Sequence, residues 1–279
     1  MLKYAIAKSV CFSLCHSDTD SFFVPTIIAQ PSQVSKPAAA FPLRGENMNV
    51  VYAMTRNFYH KVIPSMRSLI EYNPKVNIYV LAEDDEVPNL PAKAKIINIS
   101  EQHQFDNSVN IGNRFGGYIN LLKVYYPTLL PRLNKVIHLD VDTIVCDSLE
   151  PLWKTNVANK WIAAVPEYQA QHSQLRLYGD IYYNAGVMLI NLQQMRKDKI
   201  EDTMARFLCE VPQPFADQDA WNKYGIEQDK IVVAPVRFNE CISTEYTDNP
   251  AVVHYCAIPD WYEQRSMIRR EYLDRWINA

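Results

Sequence analysis

Two aspartates, Asp140 and Asp142, come directly after an apolar strand that the sequence predicts over residues 135–139. On extended backbone, side chains at positions i and i+2 point to the same face, so the two carboxylates are expected to lie together. Such a pair repels itself unless a cation lies between its members. Mg²⁺ and Mn²⁺ use one or two carboxylates together with substrate phosphates. The spacing therefore predicts a metal-bridged diphosphate site, with a solvated turn as the alternative.

Glycine is scarce in this chain, with 7 glycines among 279 residues. Neither G-x-G-x-x-G nor G-x-x-x-x-G-K-[ST] can be drawn through them, which excludes a dinucleotide fingerprint and a Walker A loop. If the protein binds a phosphorylated ligand, groups other than a glycine-rich loop have to hold the phosphates. A metal bound by Asp140 and Asp142 would supply that function.

The composition is that of a globular protein, with 48% hydrophobic and 21% charged residues. A net charge of −3 argues against a broad nucleic-acid-binding surface, so no nucleic-acid partner is expected. No apolar stretch reaches about 18 residues, so no transmembrane segment is expected. The six cysteines contain no C-x-x-C pair, which favours a reducing compartment, and we expect a cytoplasmic protein.

Strand and helix patterns alternate from residue 48 onward. The predicted strands are 49–54, 77–81, 95–99, 135–139, 161–165, 187–192 and 252–255. The predicted helices are 58–72, 118–130, 193–209 and 218–224, the second with a break near Pro127. This alternation predicts an α/β fold with a mainly parallel sheet. Ligands of such sheets bind beyond the carboxyl ends of the strands.

Residues 1–47 differ from the rest of the chain. They hold no tryptophan, and residues 30–42 lack helical or strand periodicity. The opening segment is a poor match to a signal peptide, because Lys8 interrupts its apolar run. Met48 opens a clean strand pattern, and codons for Gly45-Glu46 can resemble a ribosome-binding sequence. We expect an N-terminal extension over 1–47, either disordered or a mis-assigned start, and one domain over 48–279.

Seven sequence blocks follow one another in the second part of the chain. They are 51–57, 130–142, 147–153, 183–191, 217–222, 237–239 and 254–256. Their sharpest members are Asp140-Val141-Asp142, the strand Asn184-Ala185-Gly186 and the helix start Asp217-Gln218-Asp219. In this order, the blocks resemble glycosyltransferase family 8, the retaining transferases that include glycogenin and the lipopolysaccharide galactosyl- and glucosyltransferases.

The resemblance implies a fold and an activity. The fold is a single GT-A-type α/β domain with a Rossmann-like, mainly parallel mixed sheet flanked by helices. The activity is retaining transfer of a hexose from UDP-glucose or UDP-galactose to an acceptor hydroxyl, with Mn²⁺ or Mg²⁺ held by Asp140, Asp142 and His254. The implied acceptor is a glycan, a lipopolysaccharide-like molecule or a protein.

The resemblance also assigns further site residues. Gln218 on the reacting face of the sugar, Asp217, Asn184 and, near the acceptor, Glu167 are the implied catalytic group. The implied donor-binding residues are Ala53, Thr55, Asn57, Tyr59, Lys123, Asp140, Val141, Asp142, Ala185, Gly186, His254 and Ala257. The alternatives from residue type alone are a turn at Asn184 and Gly186, a helix cap at Asp217, a surface glutamate at Glu167, an exposed helical lysine at Lys123 and a satisfied histidine at His254.

The chain departs from the family pattern after His254. The family carries a glycine where this chain has Ala257, and a lysine before the tryptophan that here is Trp261. A degenerate, non-catalytic nucleotide-sugar-binding protein is therefore the alternative function. A haloacid-dehalogenase-like phosphatase, whose first motif is Asp-x-Asp-x-Thr after an apolar strand, is a remote alternative because here a long α/β segment precedes the aspartate pair. The basic and aromatic residues 265–276 predict either peripheral membrane contact or a helix packed on the core.

Overall fold

The structure is a computed structural model that describes residues 47–112, 117–167, 178–256, 262 and 269–277. The extension predicted over 1–47 therefore lies outside the described residues apart from Asn47. No described helix is long and apolar enough to cross a lipid bilayer.

Strands of the described chain form a large mixed sheet and a small antiparallel one. They are β1 (Asn49–Met54), β2 (Asn77–Ala82), β3 (Ala94–Asn98), β4 (Val136–Leu139), β5 (Thr143–Val145), β6 (Ile162–Glu167), β7 (Tyr182–Ile190), β8 (Ile231–Val233) and β9 (Val252–His254). The seven-stranded sheet has the order β3-β2-β1-β4-β7-β6-β8, and β5 pairs with β9. Within the large sheet, β7 runs antiparallel to both β4 and β6, while the other pairs are parallel.

Helices connect the strands. They are α1 (Ile63–Tyr72), α2 (Tyr118–Leu121), α3 (Tyr126–Leu129), α4 (Glu150–Trp153), α5 (Leu192–Asp198), α6 (Glu201–Glu210), α7 (Asp217–Glu227) and α8 (Arg270–Ile277), with 3₁₀ turns at Arg56–Phe58, Leu122–Tyr125 and Val236–Phe238. The α/β prediction is confirmed, but three helix predictions differ in extent. The helix predicted over 58–72 begins only at Ile63, with Pro64 in its first turn, where proline is favoured.

The other two predicted helices are divided. The one predicted over 193–209 splits into α5 and α6 at Lys199, whose backbone is left-handed with φ 53°. The one predicted over 118–130 is interrupted by the 3₁₀ turn Leu122–Tyr125, so its break precedes Pro127, which lies in the first turn of α3. In both cases the apolar spacing continues across the break, and this explains why the pattern predicts a single helix.

The large sheet is buried on both faces. Along β1, Val50 and Tyr52 belong to one hydrophobic cluster, and Val51 and Ala53 belong to the other. Because successive side chains of a strand point to opposite faces, helices have to cover both sides of the sheet. The strand ends that carry the polar residues are therefore held between two packed layers.

The last helix packs on the small sheet. Leu273 and Trp276 of α8 are buried against Ile144 of β5 and Val253 of β9. Trp276 and the partly buried Tyr272 were predicted to pack on the core, and both lie against this cluster, as does Leu273, which the prediction did not name. Residues 263–268 of the tail lie outside the described chain.

Candidate active site

Three side chains with metal-ligating atoms converge beyond the end of β4. Asp140 follows β4, Asp142 lies two residues further, and His254 ends β9. One ligand atom of each lies within 4.8 Å of those of the other two. Nε2 of His254 is 3.2 Å from Oδ1 of Asp142 and 3.8 Å from Oδ2 of Asp140. The structure thus brings together the three residues for which the sequence predicts metal binding.

A buried amide orients the imidazole of His254. Nδ1 of His254 lies 2.9 Å from Oδ1 of Asn239, and Nδ2 of Asn239 donates to Oδ1 of Asn184 at 2.8 Å. With the amide in this orientation, Nδ1 carries the proton and Nε2 faces the two aspartates, as in many metal-bound histidines. Burial disfavours the charged imidazole, but the Asp142 carboxylate outweighs it and raises the pKa of His254 well above its ordinary value.

Gly186 makes room for the imidazole. A Cβ at this position would lie 2.0 Å from Cε1 of His254, so only a residue without a side chain fits. The Gly186 carbonyl also accepts a 2.8 Å hydrogen bond from the backbone N–H of Asp140. Gly186 lies inside β7, so the turn considered for Asn184 and Gly186 is wrong. Gly186 therefore leaves the space that His254 occupies and hydrogen-bonds to the backbone of Asp140.

Lys123 is buried between two carboxylates. Only 3% of the residue is exposed, and its Nζ lies 3.1 Å from Oδ1 of Asp140 and 3.3 Å from Oδ2 of Asp217. Burial disfavours the ammonium, yet the two carboxylates outweigh burial and raise the pKa of Lys123. The exposed helical lysine considered from the sequence is therefore wrong, and a fixed positive charge lies beside the aspartate pair.

His138 supports Asp140 from within β4. Its Nε2 lies 2.8 Å from Oδ1 of Asp140, and its Nδ1 lies 3.0 Å from the hydroxyl of Tyr126. Burial, reinforced by the charge of Lys123, lowers the pKa of His138. A neutral ring can donate through Nε2 to Asp140 and accept from Tyr126 through Nδ1. Burial raises the pKa of Asp140, but Lys123 and His138 outweigh it and hold that pKa below its usual range.

Asp217 has a buried oxygen, Oδ2, whose observed polar partner is the ammonium of Lys123. Ala216 precedes it with φ 51° and ψ −120°, a rare conformation for a residue with a Cβ, which turns the start of α7. Oδ2 of Asp217 lies 3.3 Å from the ammonium of Lys123 and accepts no other hydrogen bond within the described chain. Burial raises the pKa of Asp217 to about 6. Buried polar atoms are normally satisfied, so this oxygen is suited to a ligand hydroxyl.

A chain of hydrogen bonds joins the remaining residues assigned to catalysis. Nδ2 of Asn184 donates to Oε1 of Glu167 at 2.6 Å, and Nε2 of Gln218 donates to the same oxygen at 3.3 Å. Oε1 of Gln218 accepts from the backbone N–H of Ala185 at 2.9 Å. Burial raises the pKa of Glu167. Through Asn184 and Asn239, this chain continues to His254 and hence to the aspartate pair.

The residues predicted to bind the nucleoside lie at the end of β1. Ala53 is buried in the strand, Thr55 is partly buried and Asn57 is exposed. The hydroxyl of Tyr59 donates to Asp84 at 3.0 Å and accepts from the backbone N–H of Glu83 at 3.1 Å, so its ring is tied to the loop after β2. Because β1 and β4 are parallel neighbours, both strands end at the same edge of the sheet as the aspartate pair.

Two predicted donor-binding residues stay predictions, and two further residues contact the cluster without having been predicted. Val141 is partly buried against a hydrophobic cluster, and Ala257 lies outside the described residues. His138 and Asn239 were not assigned a role, although both contact the metal-ligating side chains. Asn239 belongs to the 237–239 block, which could have pointed to it, whereas a single polar residue in an apolar strand is a weak signal for His138.

The donor set suits a hard or borderline divalent cation. Two carboxylate oxygens and one imidazole nitrogen are ligands that Mn²⁺ accepts readily and Mg²⁺ partly. Asp140 is held in its ionised form by Lys123 and His138, and the orienting amide turns Nε2 of His254 towards both carboxylates. The residues present therefore fit the predicted cofactor.

Comparison with known proteins gives a consistent result. A family model described as glycosyl transferase family 8 matches residues 49–259. A Haemophilus influenzae protein with a provisional glycosyltransferase name is 26% identical over 216 residues, which are 70% of this chain and 63% of that protein. General stress protein A of Bacillus subtilis is 27% identical over 161 residues, or 47% of this chain and 56% of that protein. The chain thus spans less than two thirds of either relative.

Solved structures share the fold. The galactosyltransferase LgtC, determined in complex with donor and acceptor sugar analogues, has a TM-score of 0.65 at 23% identity, covering 83% of this chain and 95% of that one. This likeness confirms the predicted GT-A fold and its mixed sheet flanked by helices. The family match leaves the phosphatase alternative without support. Because the match covers well over half of the sequence, the chain belongs to glycosyltransferase family 8.

Proposed function

We propose that this protein is a glycosyltransferase that moves glucose or galactose from a UDP-sugar to an acceptor hydroxyl, with retention of configuration and with dependence on Mn²⁺ or Mg²⁺. The observation that carries the proposal is the convergence of Asp140, Asp142 and His254 within 4.8 Å beyond the end of β4. Family membership and the galactosyltransferase neighbour support the sugar and nucleotide classes. The acceptor class is a glycan, a lipopolysaccharide-like molecule or a protein.

The diphosphate lies beside the aspartate pair in this proposal. Asp140, Asp142 and His254 would hold the cation, which when bound supplies a Lewis acid that neutralises charge on the departing UDP. His254 has to release its Nε2 proton to become a ligand. Lys123 holds Asp140 in its charged form, and its buried ammonium adds positive charge near the phosphates.

The sugar lies against the hydrogen-bonded residues of β6, β7 and α7. Oδ2 of Asp217, which contacts Lys123 but accepts no further hydrogen bond within the described chain, accepts a sugar hydroxyl, and Asn184 contacts the sugar from the first half of β7. The side-chain amide of Gln218 accepts a hydrogen bond from the backbone of Ala185 and donates one to Glu167, so its position is fixed. An amide is also a weak nucleophile. These contacts favour a front-face displacement, in which Gln218 steadies an ion-pair-like transition state while the acceptor attacks from the side that UDP leaves.

Release of UDP from UDP-glucose and UDP-galactose, with and without Mn²⁺, tests the proposal. Wild-type protein is expected to release UDP only with the metal. Asp140→Asn and Asp142→Asn keep the side-chain shape but weaken the ligands, so each should reduce the rate by more than about 100-fold. Asp229→Asn is a matched control, because the Asp229 side chain is 90% exposed and lies outside the cluster.

The outcomes separate the alternatives. Turnover that survives chelation of divalent metals, or that survives both aspartate substitutions, would contradict the metal assignment. Metal-dependent binding of UDP-sugars without turnover on any of the three acceptor classes would instead indicate the degenerate, non-catalytic protein.

A further inference from the structure

Two cysteines lie beside His254, whose imidazole also contacts the aspartate pair. One ligand atom from each of Cys241, His254 and Cys256 lies within 4.8 Å of those of the other two. Cys241 is buried, with 4% of its surface exposed, and Cys256 is partly buried. Both are free thiols. Three potential metal ligands of soft or borderline character therefore converge at a second point, and they share the imidazole with the first.

Backbone contacts hold this trio in place. The N–H of His254 donates to the carbonyl of Glu240 at 2.8 Å, which brings the next residue, Cys241, beside the imidazole. The N–H of Cys241 donates to the hydroxyl of Thr244 at 2.9 Å, and this closes a tight turn. On the other side, the N–H of Tyr255 donates to the carbonyl of Asp142 at 2.9 Å and fixes the strand just before Cys256. The geometry thus comes from the ordered backbone on either side of the thiols.

The distances suit tetrahedral coordination. A zinc ion bound to thiolate sulfur at about 2.3 Å and to imidazole nitrogen at about 2.0–2.1 Å requires ligand atoms about 3.5–3.8 Å apart. The three ligand atoms lie within 4.8 Å of one another, so shifts of about 1 Å bring them to these separations. Thiolates select Zn²⁺ and other soft cations, whereas the carboxylates of Asp140 and Asp142 suit Mn²⁺ or Mg²⁺. The two groups of ligands therefore differ in the metals that they prefer.

We propose that Cys241, His254 and Cys256 form a binding site for a soft divalent metal such as Zn²⁺, with the fourth position open to water. Because His254 belongs to both groups, an ion held by the thiols withdraws the imidazole from the aspartate pair. If the proposed function is correct, Zn²⁺ inhibits the transferase by this route. Binding at the thiols does not depend on that function and is tested separately.

Cobalt spectroscopy tests the site directly. The full chain carries Cys11→Ser and Cys15→Ser so that N-terminal thiols do not contribute, and it is reduced, stripped of metal and titrated with Co²⁺. We expect a sulfur-to-cobalt charge-transfer absorption that saturates at stoichiometric metal. The absorption should be lost in Cys241→Ser and in Cys256→Ser. It should persist in Asp140→Asn, which alters only the carboxylate group, and in Cys146→Ser, the matched control at a thiol outside the trio.

Alkylation of the unsubstituted protein gives a second measurement that needs no variant. Saturating Zn²⁺ should slow the reaction of Cys241 and Cys256 with a maleimide, read by peptide mass spectrometry, and leave Cys146 and Cys209 unchanged. Absence of the charge-transfer band, or its equal loss in Cys146→Ser, would overturn the proposal. So would Zn²⁺ protection that does not distinguish the two pairs of cysteines. If the thiol site binds Co²⁺ while no UDP-sugar is turned over, the metal-site proposal is supported and the proposed transferase function is contradicted.

Discussion

Replacement of Gly186 by alanine tests directly whether His254 needs the space beside this glycine to bind a metal. The new Cβ would lie 2.0 Å from Cε1 of His254, whereas non-bonded carbons pack at about 3.5–4.0 Å. The imidazole would have to withdraw by about 1.5–2 Å, and metal–ligand distances tolerate only about 0.2 Å. His254 would then no longer reach a cation held by Asp140 and Asp142.

The expected magnitude follows from losing this ligand. Even residues that only orient a ligand cost about 10–100-fold in metal affinity, so Gly186→Ala should weaken Mn²⁺ binding by at least that factor. This corresponds to about 1.4–2.7 kcal/mol. The overlap should also lower the free energy of unfolding by about 1–3 kcal/mol. The assay is the Mn²⁺ concentration for half-maximal UDP release, together with calorimetric titration of Mn²⁺ in the presence of UDP.

A second glycine of the chain provides the control. In Gly225→Ala the new Cβ would also be crowded, at 2.7 Å from two side-chain carbons of Ile231, but that side chain is flexible and lies outside the metal cluster. Its Mn²⁺ dependence should match the wild type. An unchanged Mn²⁺ requirement in Gly186→Ala, with the fold intact by circular dichroism, would refute the reasoning that the glycine exists to admit His254.

Three further predictions concern the groups around this cluster. Asn239→Ala removes the amide that orients His254, and should weaken Mn²⁺ activation by about 10–100-fold in the UDP-release assay. Lys123→Met leaves two carboxylates uncompensated and should cost about 3–5 kcal/mol in urea unfolding, whereas Lys154→Met, at an exposed ion pair, should cost less than about 1 kcal/mol. Asp217 has a pKa of about 6, above its unfolded value of about 3.9, so it stabilises the fold below about pH 4 and this contribution is lost as the pH rises through 6. The stability of Asp217→Asn relative to wild type, from urea unfolding, should therefore increase between pH 4 and pH 7, and a constant difference would contradict the raised pKa.

Local sequence patterns predict the strands better than the helix boundaries. The strand predicted over 49–54 matches β1, because a continuous apolar run is a strong signal for a buried strand. The strand predicted over 187–192 begins five residues too late, since β7 starts at Tyr182. The first half of β7 includes Asn184, which hydrogen-bonds to Glu167, and Gly186, which leaves space for His254, although Tyr183 and Ala185 belong to the hydrophobic core. Pattern reasoning therefore fails where function, and not packing, determines residue type.

The site also contains residues that a local sequence pattern predicts and residues that it does not. Asp140 and Asp142 are predictable from their i, i+2 spacing directly after a strand, whereas His254 could be assigned only by family resemblance. The burial of Lys123 depends on Asp217 at the start of α7, which is distant in sequence. The role of Asn239 depends on its reach to His254, a contact that a local pattern does not contain. Contacts between residues that are distant in sequence therefore determine the burial of Lys123 and the role of Asn239, which the local motifs do not reveal.

The hydrogen-bond chain from Gln218 through Glu167, Asn184 and Asn239 to His254 has an evolutionary consequence. A substitution at Asn184 that admits a different sugar also disturbs the amide that aims the imidazole. Donor preference and cation affinity are therefore subject to epistasis and cannot drift independently. Lineages that change donor should first acquire substitutions that strengthen metal binding, and laboratory selections for a new donor should begin at elevated Mn²⁺ and lower it stepwise.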